Sequence, residues 1–264
     1  MIDIHSHLLP NLDDGSQSLK ESIEIVKLYK KNGYIGVIAT PHHYNEKYLP
    51  LKSEIIESKK LLDKELRDRG IDFTIYLGNE VFLDEKTITS LKEEKIILMA
   101  DSKYILIELP LHNNPNYAKD IIFQIQLMGY RPILAHVERY EITKSNFKFI
   151  EDLYKSGVPI QINLNSLKRE SSTDYKLANK LIEKRMVQFV ATDTHSAEIR
   201  NPEVKTELEY LRKKMGEHWF NEVVIENPYK LIENKSIKRE IINNKTQHKK
   251  KESFLSKLFK GWRN

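Results

Sequence analysis

Tyr104-Ile105-Leu106-Ile107-Glu108-Leu109 is an apolar run that closes on a carboxylate. Its length and its branched side chains predict a buried β-strand. A carboxylate at the end of such a strand is rarely buried without a cation or a donor beside it. Working outward, six more runs of this kind occupy residues 2–5, 35–40, 73–78, 132–136, 159–163 and 188–192. Between them lie amphipathic stretches. Residues 18–31 carry Ile23, Val26, Leu28 and Tyr29 at helical spacing, and residues 53–69 carry Ile55, Ile56, Leu61, Leu62 and Leu66. Asn32-Gly33, Arg69-Gly70 and Ser156-Gly157 stand where helix C-caps belong. Strands alternating with helices predict an α/β chain built on a parallel sheet, most simply one barrel; an open doubly wound sheet gives the same alternation.

Polar residues able to bind metal fall at or just after the C-terminal ends of six of the seven strands. His5 and His7, then Asp13-Asp14-Gly15, follow the first. Pro41-His42-His43 follows the second, and Glu80 follows the third. Glu108 ends the fourth, His136 the fifth, and Asp193 and His195 follow the seventh. In an α/β barrel these ends form one mouth, so residues distant in sequence converge there. In isolation each histidine reads as a hydrogen-bonded core residue. His5-Ser6-His7 is a stronger signal, because residues two apart on an extended chain face the same side and can share one ion. Together so many imidazoles and carboxylates would repel one another and be costly to desolvate without cations. The donors are all nitrogen and oxygen, which favours Mn²⁺, Fe²⁺, Zn²⁺ or Mg²⁺, and the carboxylate share leans toward the harder ions. His43, His112, His218 and His248 do not share this placement with equal force, and His43 is the nearest to an exception.

Composition limits the alternatives. The chain has 264 residues, 40% hydrophobic and 31% charged, with nine Gly and nine Pro, as a folded globular protein does. It has no cysteine, so disulfides, thiolate ligands and a cysteine nucleophile are excluded. No segment is long and apolar enough to span a bilayer and no signal peptide opens the chain, which predicts a cytoplasmic protein. The net charge of +5 comes from the tail: residues 236–264 hold nine Lys or Arg against two Glu. The preceding 235 residues hold 34 basic and 36 acidic side chains, with no electrostatic footprint for nucleic acid. This divides the chain into a barrel at 1–235 and a basic tail at 236–264. In the tail, Lys249-Lys250-Lys251 precedes Phe254, Leu255, Leu258, Phe259 and Trp262 at helical spacing, a pattern suited to an anionic membrane surface, to docking on a partner or to a solvated terminus.

Met1-Ile2-Asp3-Ile4-His5-Ser6-His7, Asp13-Asp14-Gly15, Ala39-Thr40-Pro41-His42-His43, Gly78-Asn79-Glu80, Tyr104 to Glu108, Ala135-His136-Val137-Glu138-Arg139 and Thr192-Asp193-Thr194-His195 form an ordered set. In that set the chain resembles the polymerase and histidinol phosphatase (PHP) superfamily, and within it the capsule-associated, metal-dependent protein tyrosine phosphatases of bacteria. The resemblance covers about residues 1–235. It implies a distorted TIM-like (β/α)7 barrel of one domain with about three divalent ions, Mn foremost. On it, His5, His7, Glu80 and Asp193 would hold one ion, and Glu80 would bridge to a second held by Glu108 and His136. Asp14, His42 and His195 would hold the third. Arg139 and Arg200 match the family's phosphate-binding arginines, and a guanidinium fork suits phosphate oxygens. The chain departs from the family pattern at Val137 and Tyr140, where Pro and Asn are usual, and at Thr192 and Thr194, where Ser and Ala are usual.

The resemblance implies hydrolysis of phosphotyrosine by a metal-activated hydroxide, with a membrane-associated tyrosine kinase of capsule or exopolysaccharide synthesis as the substrate protein. Histidinol-phosphate phosphatase is the rival within the superfamily. The complete ligand set argues against a non-catalytic scaffold, and the acidic body argues against a nuclease module.

Overall fold

The computed structural model describes residues 1–44, 47–113 and 115–238; the tail from residue 239 on, including His248, lies outside the described residues. Strand β1 (Ile2–Ser6) leads to helix α1 (Leu19–Lys31), whose N-cap Ser18 accepts a hydrogen bond from Glu21 N at 3.2 Å. Then come β2 (Gly36–Ala39), β3 (His42–His43) and α2 (Lys52–Asp68), followed by β4 (Thr74–Leu77), β5 (Glu80–Phe82), α3 (Thr87–Lys92) and β6 (Tyr104–Glu108). Next are α4 (Ala118–Leu127), β7 (Arg131–Leu134), α5 (Glu141–Ser145), α6 (Phe147–Lys155), β8 (Gln161–Asn163), α7 (Thr173–Glu183) and β9 (Phe189–Ala191). Three short helices complete the order: α8 (Lys205–Met215), α9 (Glu217–Asn221) and α10 (Asn227–Ile232). Gly33, Gly70 and Gly157 follow their helices with φ of 82°, 64° and 112°, as their capping positions predict.

Among the described residues nine strand segments make seven barrel staves, because the second and third staves are each interrupted. Pro41 has no N–H to give and splits β2 from β3; Gly78 and Asn79 split β4 from β5. Pairing continues across the breaks through Gly78 N to Ala39 O (2.9 Å) and Glu80 N to Pro41 O (3.2 Å). All strand pairs are parallel. β7 joins β8 through Leu134 N to Pro159 O at 3.0 Å. The last stave returns to the first: Asp193 N donates to His5 O at 3.0 Å, and His7 N donates to Thr194 O at 2.8 Å. A doubly wound sheet has two free edges. Here the ring closes, and the barrel reading of the alternation is the correct one.

The interior is layered. Ile4, Ile38, Leu106, Ile133 and Phe189 pack together inside the staves, and Met99 and Leu231 pack against them. This apolar plug lies beneath the C-terminal strand ends. A larger apolar layer, including Val37, Ile107 and Ile162, packs between staves and helices. Leu61, read from its spacing as part of the buried face of α2, is 48% exposed. Among the described residues no helix is long and apolar enough to cross a membrane.

Candidate metal centre

The strand ends bring every predicted donor to one mouth. A register shift between Asp3 and Ser6 turns the chain of β1. Asp3 is held outside the barrel, where Tyr29 Oη donates to it at 2.7 Å, while His5 and His7 face the interior cluster. Their Nε2 atoms stand 3.3 Å apart. Glu80 Oε2 lies 3.2 Å from His5 Nε2 and 3.1 Å from His7 Nε2, and Asp193 Oδ1 lies 3.5 and 3.6 Å from the same two atoms. Four ligands about 2.1 Å from one ion in a tetrahedron are about 3.4 Å from each other, and the five separations from the two imidazoles match that spacing. Asp193 Oδ1 is buried and has no hydrogen-bond partner. The donor set fits a cation.

The other predicted groups assemble beside it. His136 Nε2 is 2.7 Å from Glu80 Oε1 and 3.6 Å from Glu108 Oε1. Asp14 Oδ1 is 3.3 Å from His42 Nε2 and 3.5 Å from His195 Nε2. His42 Nδ1 stands 3.2 Å from Glu80 Oε2 yet is not aligned to hydrogen-bond with it. His43 alternates to the other side of β3, where Asp84 and Lys95 are its charged neighbours, and it joins none of the donor groups. His112 lines the rim of the cleft.

Electrostatics agree with a site built for positive charge. Burial, reinforced by the Glu80 carboxylate, pushes the Glu108 carboxyl up to about 8. Burial also acts on Glu80, but the positive charge of His5 and His42 outweighs it and holds that carboxyl well below the usual range. At Asp193 burial is likewise overcome, by His5 and Arg200, and the group stays ionised. Burial lowers His136 to about 4, leaving a neutral imidazole with a lone pair to offer. Two donor residues also carry left-handed backbone, His136 with φ 29° and Asp193 with φ 53°. Such conformations cost about 1–3 kcal/mol each and collect at functional sites.

The roles of several supporting residues were not given by the sequence. Asp13 Oδ2 accepts from His7 Nδ1 at 2.7 Å, which leaves His7 Nε2 as the lone pair facing the cluster. The same carboxylate accepts from Gly15 N and His42 N, both at 2.9 Å. On β8, the one stave without a predicted donor, Gln161 Oε1 accepts the backbone N–H of His136 at 3.0 Å and lies 3.2 Å from His5 Nδ1. Gln161 Nε2 donates to Asn163 Oδ1 at 2.8 Å, and Asn163 Nδ2 donates to Asp193 Oδ2 at 2.7 Å. The alternation of Gln161 and Asn163 about an apolar Ile162 was the available signal. Glu138 accepts from Asn163 N at 2.8 Å and Ser166 Oγ at 2.7 Å, and burial raises its carboxyl to about 7.

Arg139 and Arg200 both reach this mouth. Arg139 Nη1 is 3.2 Å from Asp193 Oδ2, and Arg200 Nη2 donates to the same oxygen. With Asp14, His42, Glu80, Glu108, His136 and His195 they line a cleft of about 330 Å³. Asp14 is 41% exposed and Arg200 36%, so the cluster reaches the protein surface.

The sequence profile described as "Capsular polysaccharide synthesis, CpsB/CapC" matches residues 1–233. The tyrosine-protein phosphatase YwqE of Bacillus subtilis (strain 168) is 33% identical over 235 residues, 89% of each chain. The tyrosine-protein phosphatase CpsB of Streptococcus pneumoniae is 27% identical over 238 residues, covering 88% of this chain and 98% of its own. A solved chain from the crystal structures of YwqE and CpsB, described as unique metal-dependent tyrosine phosphatases, superposes with a TM-score of 0.86 at 32% identity. It covers 91% of this chain and 97% of its own. A histidinol phosphate phosphatase of Lactococcus lactis shares the fold at a TM-score of 0.55 and 14% identity, over 83% of this chain and 95% of its own. The profile spans the whole barrel and the YwqE relative nearly all of it, so the chain belongs to the CpsB/CapC family of capsular polysaccharide synthesis.

Proposed function

We propose that this chain is a metal-dependent protein tyrosine phosphatase that removes phosphate from a phosphotyrosine protein of capsule or exopolysaccharide synthesis. The observation that carries the reading is the cluster of His5 Nε2, His7 Nε2, Glu80 Oε2 and Asp193 Oδ1, in which the two imidazole nitrogens stand 3.3 Å apart and each lies 3.1–3.6 Å from both carboxylate oxygens, with two arginines on Asp193. His5, His7, Glu80 and Asp193 would hold one divalent ion; Glu80, Glu108 and His136 a second; Asp14, His42 and His195 a third, with Mn²⁺ the best match to the carboxylate share. Bound there, the ions offset phosphoryl charge and make water acidic enough to act as the nucleophile near neutral pH.

The chain's own residues bind and orient. Arg139 and Arg200 are anchored from behind by Asp193 Oδ2, which points both forks over the cleft before substrate arrives. Burial keeps His136 neutral, so it offers a lone pair and no competing positive charge. Tyrosinate leaves with a pKa of about 10 and needs little proton donation, unlike a serine alkoxide. The exposure of Asp14 and Arg200 at the rim favours a substrate presented on a protein surface over a closed small-molecule pocket.

A tyrosine kinase held at the membrane is the substrate protein we assign, with the basic, apolar tail lying on the anionic surface beside it. Loss of liposome association on deletion of residues 246–264, with aryl phosphate turnover retained, is the expected result; unchanged association removes the tail from this role. The function is tested by comparing a phosphotyrosine peptide with histidinol phosphate, using metal-stripped protein with and without Mn²⁺ and His136→Ala as control. Mn²⁺-dependent turnover that favours the peptide and is lost in the variant supports the reading. Preference for histidinol phosphate overturns it in favour of the biosynthetic enzyme.

A further inference from the structure

The strand register places a second layer directly above the candidate ligands. β3 and β5 run in parallel with His42 opposite Glu80 and His43 opposite Val81. Side chains alternate along a strand, so His42 and Glu80 face the cleft, His43 and Val81 face away, and the next residues of each chain, Tyr44 and Phe82, face the cleft again. Their rings stack at 4.3 Å between centroids with an interplanar angle of 26°. One inward-facing step along a strand is about 6.6 Å, comparable to the reach of an ester oxygen plus a phenyl ring above a phosphorus atom. Leu111 lines the same cleft, and Tyr48 stacks on His42 with an interplanar angle of 11°. Arg139 and Arg200 both contact Asp193, and Lys47 Nζ stands 4.6 Å from the centroid of the Tyr48 ring in the same cleft.

We infer that Tyr44 and Phe82 form a specificity-determining wall that receives the substrate's phenyl ring while its phosphate lies on the layer below. The inference rests on the phosphatase reading and deepens it, because it says how an aryl phosphate is chosen over an alkyl one. A phenyl ester places its ring in the Tyr44–Phe82 layer; a phosphoserine ester places no ring there. Aromatic pairing at these separations is worth a few-fold to about tenfold in binding.

The test uses phosphonates, which are not hydrolysed, so that binding is read apart from turnover. Full-length Mn²⁺-loaded protein is titrated calorimetrically with benzylphosphonate, whose CH2 replaces the ester oxygen, and with methylphosphonate. Wild type is expected to favour benzylphosphonate roughly five- to tenfold. That ratio should fall toward one in Phe82→Leu and Phe82→Ala and persist in Phe82→Tyr, with methylphosphonate affinity unchanged throughout. Phe82→Leu keeps the bulk of the side chain and guards against a simple loss of folding. Equal affinities in wild type, or a ratio unaltered in Phe82→Leu, overturns the inference. Absent aryl phosphate turnover with the phenyl preference intact counts against the phosphatase reading alone, and turnover without any preference counts against the aromatic wall alone.

Discussion

Asn163 Nδ2 donates to Asp193 Oδ2 at 2.7 Å and, with Arg139 and Arg200 on the same oxygen, leaves Oδ1 for a cation. The direction of the Asn163 bond follows from one donor whose identity is beyond choice. The backbone N–H of His136 must donate, so the Gln161 atom that receives it is the carbonyl oxygen. Gln161 Nε2 therefore donates to Asn163 Oδ1, which turns the Asn163 amide nitrogen toward Asp193. The same Gln161 oxygen makes His5 Nδ1 the protonated nitrogen and leaves Nε2 free at the cluster. Two amides on β8 thus set the presenting atoms of donors on the first and seventh staves.

Removing this ladder should weaken cation binding more than it weakens the fold. Gln161→Leu and Asn163→Leu are expected to lower Mn²⁺ affinity about 10–100-fold, the usual effect of losing an outer partner of a metal ligand. The disappearance of the free Mn²⁺ spin-resonance signal on titration measures this without reference to activity. Wild-type affinity in folded variants would show that the ladder only fills space.

The arginines should separate from the ligands by phenotype. Arg139→Ala or Arg200→Ala removes a charge-assisted contact worth about 1.5–3 kcal/mol, or about 10–150-fold in kcat/KM toward a phosphotyrosine peptide. Each change also takes positive charge away from Asp193, so Mn²⁺ affinity should stay the same or rise. Lysine should restore only part of the loss, since it lacks the planar fork. A fall in Mn²⁺ affinity that matches the fall in kcat/KM would make both residues structural.

The donors were legible because their chemistry is conspicuous where it stands. Glu108 interrupts an apolar strand, and His5 and His7 share a face. Position alone left Asp13 and Asp14 as a pair, and the family resemblance singled out Asp14; in the built turn Asp13 receives His7 Nδ1 while Asp14 reaches His42 and His195. Gln161 and Asn163 were not legible, because an amide on a strand reads as ordinary polarity until its partners, far away in sequence, are known. Alternation alone left a barrel and an open sheet both possible, and the family resemblance pointed to the barrel. Closure depends on Asp193 N meeting His5 O, a contact between the first and last staves that alternation of strands and helices does not encode. The split staves had local signals, Pro41 and Gly78-Asn79, but the continuing pairing across them is a tertiary fact.

Gly15 is required by closeness to His7. A β-carbon on Gly15 would lie 2.1 Å from His7 O and 2.4 Å from His7 Cβ, both too close to persist. Gly15→Ala should therefore push His7 and Asp13 apart, cost about 1–3 kcal/mol as an overpacked site does, and reduce Mn²⁺ affinity. Gly70→Ala is the matched control: its φ of 64° makes alanine strained, but no atom lies within 4 Å. It should lower the unfolding midpoint and leave Mn²⁺ titration unchanged. Equal effects of the two substitutions on Mn²⁺ binding would remove the steric explanation.

Glu138 should make the metal-free protein less stable as pH rises. Its carboxyl is raised by burial from 4.5 to about 7, with Ser166 and Asn163 offsetting only part of that. Below pH 4.5 both the folded and the unfolded chain carry the proton, so the group adds no pH dependence. Between 4.5 and about 7 the unfolded chain gives it up first, and the folded state loses ground at each step. Above that window the penalty is constant, at about 3 kcal/mol as an upper bound. Glu138→Gln keeps a carbonyl oxygen for Asn163 N and Ser166 Oγ and cannot ionise. Its stability relative to wild type should accordingly climb between pH 5 and pH 8, by about 1–3 kcal/mol in urea denaturation of the metal-free proteins. Taking the difference between the two proteins cancels the titration of the histidines, which is shared. A difference that stays constant with pH would mean that Glu138 is ionised in the folded protein throughout, with its unpartnered Oε2 stabilised by water or a cation.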